Sequence, residues 1–446
     1  MPSISPQTLS NRDIESEDGS PMQASGDIAT GTQSSSDALK SETRIDNSES
    51  PTPRVSAASA PGATVLSGED RGIVFQVGQD LASHSPLEYW PSNTAMTNMN
   101  VGVFGDPGTG KTQLCLALLY QLHQGSLAAQ GHGLTGLVLD PKNDYGRPER
   151  RIFQEAIAAR VIEPLHIPID VIGLRPEMTP VEIRQRIQSF VDLLSTVMGR
   201  GVGQVQRQLL FEAVDALVQR HNRAPTMVEM RDAYRNARNN KADVVSSLLG
   251  DFVNNEVFVS DPSKFVTMSE LISKELMIVN LRPLQARSDL LKQVMAILVN
   301  QYFDSMLRMP IPGFRRGVDG IDLRQLKSVL LIDEAHLVMR LRFQQLEDIL
   351  LQGRESGISV ILSSQFPDHF THADMNYAMS LRTWFMHRVP ALSPAALRRL
   401  GIANNVDTIS ARILGLGRFE SFYSSGLGQP SFIRETPFHE LVPDGN

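Results

Sequence analysis

The sequence predicts an α/β fold built on a mostly parallel sheet, and three observations carry that prediction. Short apolar runs recur along the chain: "MNVGVF" (99–104), "GLVLD" (136–140), "ELMIVNL" (275–281), "SVLLIDE" (328–334) and "GISVILSSQ" (357–365). They are apolar without alternation, as strands buried on both faces are. Stretches with helical apolar spacing separate them, and strands alternating with helices give a sheet covered on both sides. The third observation is "VFGDPGTGKTQL" (103–114), a glycine-rich turn joining an apolar run to a helical one.

The elements follow in order. Residues 1–65 are rich in Ser, Pro, Gly, Ala and acids, and the first aromatic residue is Phe75. Such a stretch buries too little apolar surface to offset its ordering entropy, so 1–68 is expected to be a disordered tail. Residues 69–149 are read as the first part of the core. There "GIVFQVG", "LEYW" and "MNVGVF" read as short strands, and "TQLCLALLYQLHQG" as a helix that stops at Gly125. Residues 150–265 read as a mostly helical insertion, carried by "PVEIRQRIQSFVDLLSTVM" and "VQRQLLFEAVDALVQRH". Residues 266–446 return to the core, with helices at "LLKQVMAILVNQYFDSML" and "FQQLEDILLQGRES". The end, "RFESFYSSGLGQPSFIRE", reads as a hairpin.

Composition narrows the class. The chain has 446 residues, 41% of them hydrophobic, enough for a sizeable core. A single cysteine, Cys115, excludes a disulfide framework and fits a reducing compartment. No apolar run approaches the roughly 20 residues of a membrane helix, and no signal segment is evident. A soluble cytoplasmic protein without membrane insertion is expected. The net charge of −7 resides in residues 1–70, which hold eleven acids and four bases. The remainder is balanced, so any polyanion site has to be local.

Gly105, Asp106, Pro107, Gly108, Thr109, Gly110, Lys111 and Thr112 match G-x-x-x-x-G-K-[ST], with Gln113 next. The glycines let backbone N–H groups turn inward around a phosphate. Lys111 brings a point charge to the outer phosphates of a nucleotide, Thr112 a hydroxyl for Mg²⁺, and the following helix its positive end. ATP and Mg²⁺ are the cofactors expected. "VLLIDEAH" supplies the second half: Asp333 at a strand tip for the metal, and Glu334 to polarise an attacking water. Gln365 ends the next apolar strand, where a polar side chain can sense the terminal phosphate. Arg354 precedes that strand and is a candidate to reach a neighbouring subunit's site, with Arg315 and Arg316 as weaker rivals.

Other features weigh less. In "DPKNDY" (140–145), Asp140 either orients groups near the terminal phosphate or makes a turn, and Lys142 reaches a phosphate or a neighbour. "NKAD" (240–243) matches a guanine-reading pattern, but it follows a helical stretch and precedes Asp333, so it reads as chance. His369 and His372 lack the Cys or acidic partners of a metal site.

Taken together, "GDPGTGKT", "LVLDPKNDY", "VLLIDEAH" and "GRESGISVILSSQFPDHF" resemble the HerA/FtsK superfamily of ring-forming ATPases. In particular they look like the branch that holds HerA-type DNA translocases, type IV secretion ATPases and DptH-type proteins of restriction systems. The resemblance covers roughly 70–440. It implies a RecA-like core, a ring homo-oligomer (usually a hexamer), ATP at subunit interfaces, and DNA or protein in the pore. It assigns Lys111 and Thr112 to nucleotide and metal, Asp333 to the metal, Glu334 to the base, Gln365 to the sensor and Arg354 to the finger. "DEAH" also labels superfamily 2 helicases, but Asp333 follows Thr112 by 221 positions and no Q-x-x-G-R-x-G-R stretch is present. The first expectation is a DNA translocase or helicase in genome defence or mobile-element processing, with nuclease or other defence subunits as partners. A type IV secretion-type pump and a non-hydrolysing scaffold are the alternatives. DNA-contact candidates are 313–320, 339–343 and 235–241.

Overall fold

The structure is a computed structural model that describes residues 67–68, 70–198, 201–342, 344–371 and 375–442. The expected tail, except 67–68, lies outside the described residues, as do Phe343 and His372.

The strands are β1 (Phe75–Asp80), β2 (Pro86–Tyr89), β3 (Val101–Phe104), β4 (Thr135–Asp140), β5 (Ala159–Ile162) and β6 (Leu276–Asn280). They continue with β7 (Arg315–Arg316), β8 (Asp322–Leu323), β9 (Ser328–Ile332), β10 (Ile358–Ser364), β11 (Thr383–Met386), β12 (Glu420–Ser424) and β13 (Ser431–Glu435). Eleven of them form one sheet in the order β2-β1-β13-β12-β11-β3-β10-β9-β4-β6-β5; β7 and β8 pair separately. From β11 to β5 every neighbour is parallel. From β11 back to β2 every neighbour is antiparallel. The expected C-terminal hairpin, β12–β13, belongs to this antiparallel edge.

Both faces of the parallel part are buried except at its edge strand β5, which is why its inner strands read as unbroken apolar runs. Leu330 and Ile332 face one core with Leu137, Leu139, Val360 and Leu362, beneath the helix Ser288–Met306. Val329 and Leu331 face the other with Val101, Val103 and Val138, beneath helix α1 (Lys111–Gln130).

One expectation is corrected and one is refined. Helix α1 does not stop at Gly125 but runs to Gln130 and ends on Gly131, whose φ of 76° suits the left-handed cap. Gly125 instead lets the helix pack closely, since a Cβ there would lie 2.8 Å from Ile73 Cγ2. The stretch read as mostly helical also contains β5, a four-residue edge strand parallel to β6. It is too short to show periodicity.

Three of the helices between β5 and β6 start on capping boxes: Thr179 with Glu182, Thr226 with Glu229, and Thr267 with Glu270. Asp243 of the "NKAD" stretch caps another of these helices by accepting from Ser246 N–H at 2.9 Å. It also accepts from Tyr234 Oη at 2.6 Å, so its carboxylate is committed to local structure.

Candidate nucleotide site

The strand register builds the site. Ser364 pairs with Phe104, and Ile332 pairs with both Leu362 and Leu139. The residues that follow these tips, Gly105, Gln365, Asp333 and the turn after Asp140, therefore share the C-terminal edge of the parallel strands. Open α/β sheets bind ligands at that edge. A cavity of about 290 Å³ lies there, lined by Pro107, Gly108, Gly110–Gln113, Lys142, Asp144, Arg147, Arg150, Asp333, Glu334 and Arg418.

The loop 105–110 is braced from behind. Asp106 N–H donates to Arg388 O at 2.8 Å, and Phe419 N–H donates to Thr109 O at 2.8 Å. Gly108 has φ 81° with open space at its Cβ position, so the backbone turns toward the cavity without a side chain in the way. Gly110 has φ 120°, and a Cβ there would meet Phe419 Cδ1 at 2.7 Å. Lys111 Nζ donates to Gly105 O at 2.6 Å and Asp106 O at 2.9 Å, which folds it over the loop. Burial lowers its pKa against the attraction of Glu334 and Asp333.

Asp333 and Glu334 sit side by side with different surroundings. Asp333 is buried; desolvation, then repulsion by Glu334, push its carboxyl up to about 7. Glu334 has φ 48°, a strained region for a side-chain-bearing residue and a frequent mark of function. Desolvation alone would raise its pKa, but contacts from His336 and Lys142 reverse this and bring it to about 2. Lys142 forms an ion pair with Glu334 Oε1, and His336 Nδ1 stands 3.1 Å from Oε2. Gln365 Nε2 donates to both carboxylate oxygens, at 3.1 and 3.2 Å. The structure thus brings Lys111, Thr112, Asp333, Glu334 and Gln365 to one edge.

The donor set fits a magnesium nucleotide. Thr112 and Asp333 offer a hydroxyl and a carboxylate beside a loop built for phosphate. Among the described residues no group of three His, Cys, Asp or Glu could hold a metal alone. A cation here would lean on the phosphates. Bound together, nucleotide and metal supply the electrophilic phosphorus and the charge that stabilises its transfer. Gln113 Oε1 lies 3.1 Å from His439 Nδ1, tying the helix start to the C-terminal segment.

Three of the other candidate residues have different surroundings. Asp140 accepts from the N–H groups of Asp144, Tyr145 and Gly146 at 2.8–2.9 Å, so it locks the turn that presents Lys142. Its carboxylate is spent on that turn and is not free to orient groups near a phosphate. Arg354 lies at the opposite, N-terminal end of β10, where Nη1 donates to Thr97 O at 2.6 Å. The seven residues of β10 at about 3.3 Å each separate it from its own chain's site. Arg316 pairs with Asp322 at 3.1 Å in the β7–β8 hairpin. Sequence reasoning missed Arg147, Arg150, Arg418 and Asp144 on the cavity wall. Thr112 Oγ1 lies 3.5 Å from Asp144 Oδ2. Asp144 lies within the "DPKNDY" stretch, while Arg147, Arg150 and Arg418 have no short-range motif in the chain.

Residues 93–301 match the family model described as helicase HerA, central domain. Among solved structures, the chain is similar to VirB4 of Thermoanaerobacter pseudethanolicus, with 17% identity and a TM-score of 0.61 over 84% of this chain and 98% of that one. It is similar to the bacterial conjugative coupling protein TrwBdeltaN70 in an unbound form, with 17% identity and a TM-score of 0.51 over 85% and 94%. Plasmid coupling protein TrwB in complex with ADP and Mg²⁺ gives 16% identity and a TM-score of 0.51 over 85% and 94%. A search of curated proteins gave no match. The fold is that of a RecA-like P-loop ATPase with a helical insertion. No described helix is long and apolar enough to cross a membrane.

Proposed function

We propose that this chain, whose residues 93–301 match the HerA central-domain model, is a P-loop ATPase of the HerA/FtsK superfamily that hydrolyses Mg-ATP to drive a nucleic acid through a ring of identical subunits. The observation that carries hydrolysis is Glu334, a carboxylate beside the metal aspartate and facing the phosphate cavity. A general base there activates water for in-line attack, while Lys111 and the loop N–H groups bind phosphate charge. Gln365, bonded to Glu334, is placed to register loss of the terminal phosphate. In this reading Arg354, at the far end of its own sheet, would serve a nucleotide site only on an adjoining subunit.

For the biological setting, the conjugation- or secretion-type reading is better supported than restriction-type defence. The structural likenesses are to a VirB4 and to conjugative coupling proteins. The proposed substrate is DNA, since TrwB is a plasmid coupling protein. The test is ATP turnover with Mg²⁺ in the presence of single-stranded DNA, double-stranded DNA or neither. DNA-stimulated turnover that Glu334→Gln abolishes is expected. Glu334→Gln turnover equal to wild type sinks the hydrolytic assignment, and stimulation by a polypeptide but not DNA transfers the motor to protein.

A further inference from the structure

Beyond the phosphate cavity, a continuous set of side chains leads from Glu334 to solvent. His336 Nδ1 stands 3.1 Å from Glu334 Oε2. The His336 ring stacks on the His369 ring with centroids 4.7 Å apart and planes 30° from parallel. His369 Nδ1 lies 2.6 Å from Ser364 Oγ at the tip of β10. Outward, Arg340 Nη2 is 3.4 Å from His369 Nε2. The Phe366 ring meets His369 edge-on at 5.5 Å. Arg340 is exposed, and Phe366, a phenyl ring, is 39% exposed. The two segments follow β9 and β10, the neighbouring strands that lead directly into Asp333 and Gln365.

We propose that Arg340 and Phe366 form a contact surface for a nucleic-acid strand, and that the His336–His369 stack transmits that contact to Glu334. This rests on the nucleic-acid reading above. The chemistry selects the partner. A guanidinium binds backbone phosphate, and an exposed phenyl offers a face on which any base stacks, giving sequence-tolerant grip. An acidic peptide satisfies the arginine and leaves the ring unused. Transmission has a physical route: a strand that draws Arg340 or Phe366 outward shifts His369, and with it the imidazole that helps to hold Glu334. Asp368 does not compete for Arg340, because it is paired with Arg399 at 2.7 Å. His369 is a positioning residue in this scheme.

The experiment measures binding of fluorescent oligo-dT by anisotropy at low salt, and ATP turnover with and without it. Arg340→Ala and Phe366→Ala are expected to raise Kd about tenfold each. His369→Ala is expected to bind oligo-dT within roughly twofold of wild type, yet to lose the ratio of stimulated to unstimulated turnover. His369→Phe keeps the ring stack and is expected to retain most of that ratio. His369→Gln keeps a partner for Ser364 without the ring, is expected to behave like His369→Ala, and serves in its place should His369→Ala not fold. Wild-type binding with unchanged Kd in Arg340→Ala and Phe366→Ala overturns the surface while leaving the nucleic-acid reading intact. An unchanged stimulation ratio in both ring-less variants overturns the relay. A wild type that binds polyglutamate but not oligo-dT overturns the reading and this inference together.

Discussion

The two halves of the sheet do different work with similar materials. The parallel half, β11 to β5, ends every strand of the site at one edge, so groups from distant parts of the chain converge on a cavity. The antiparallel half, β12, β13, β1 and β2, contributes Arg418 to that cavity but mainly braces it. It supplies Phe419 against Gly110 and Glu435 behind the loop. Each half holds a buried acid beside a histidine. Glu334 in the parallel half has Lys142, Gln365 and His336 around it. Glu435 in the antiparallel half has His387 Nε2 at 3.4 Å, and both residues are almost fully buried. Desolvation pushes Glu435 up to about 8 and His387 down to about 3. The difference teaches what decides a buried carboxyl's role. Donors gathered from several strand tips hold a buried carboxyl in its charged form; where desolvation outweighs its partners, the carboxyl stays protonated.

Four substitutions sharpen this contrast, taken from the largest effect to the smallest. Glu334→Gln is expected to lower kcat about 10³-fold while nucleotide binding persists, as loss of a general base does. Single-turnover hydrolysis and a fluorescent-nucleotide titration check it, and retained turnover would make the two acids equivalent bystanders. Arg354→Ala is expected to lower kcat about 10²-fold or more in the assembled protein with nucleotide Kd unchanged. If only the melting temperature moves, the contact with Thr97 is its whole role. Phe419→Ala removes the ring that backs Gly110 and is expected to cost about 3 kcal/mol of stability, read in denaturant melts. A loss of nucleotide affinity without a loss of stability would show instead that Phe419 serves the ligand directly.

The smallest effect concerns pH. Glu435 has a folded pKa above its ordinary value of 4.5, so its contribution is full below pH 4.5 and is lost as pH rises through about 8. His387 has a folded pKa below its ordinary 6.5, so its contribution is present above pH 6.5 and lost as pH falls toward 3. Between pH 6.5 and 8 only Glu435 titrates differentially of the two. Wild type is expected to lose roughly 2–4 °C of melting temperature across that window, and Glu435→Gln to remove the loss. A wild-type profile identical to that of Glu435→Gln would mean that Glu435 is ionised in the folded protein.

Much of this is legible in the chain because it is local. A phosphate loop needs only a few consecutive residues with glycine at set positions, and Asp333–Glu334 and Gln365 each sit at the end of one apolar run. The apolar runs themselves announce burial on both faces, hence a parallel sheet. Which tips are neighbours cannot be read there. Lys142 meets Glu334 only because β4 lies beside β9, across 192 positions of chain, and His369 meets His336 only because β10 lies on β9's other side. The same non-local order puts Arg418 on the cavity wall. The end of α1 is not legible at Gly125, because a glycine that allows close packing and a glycine that caps a helix are the same letter. Residue chemistry and short spacing are written along the chain. Strand order is the outcome of burying all the apolar runs at once, and no single segment carries it.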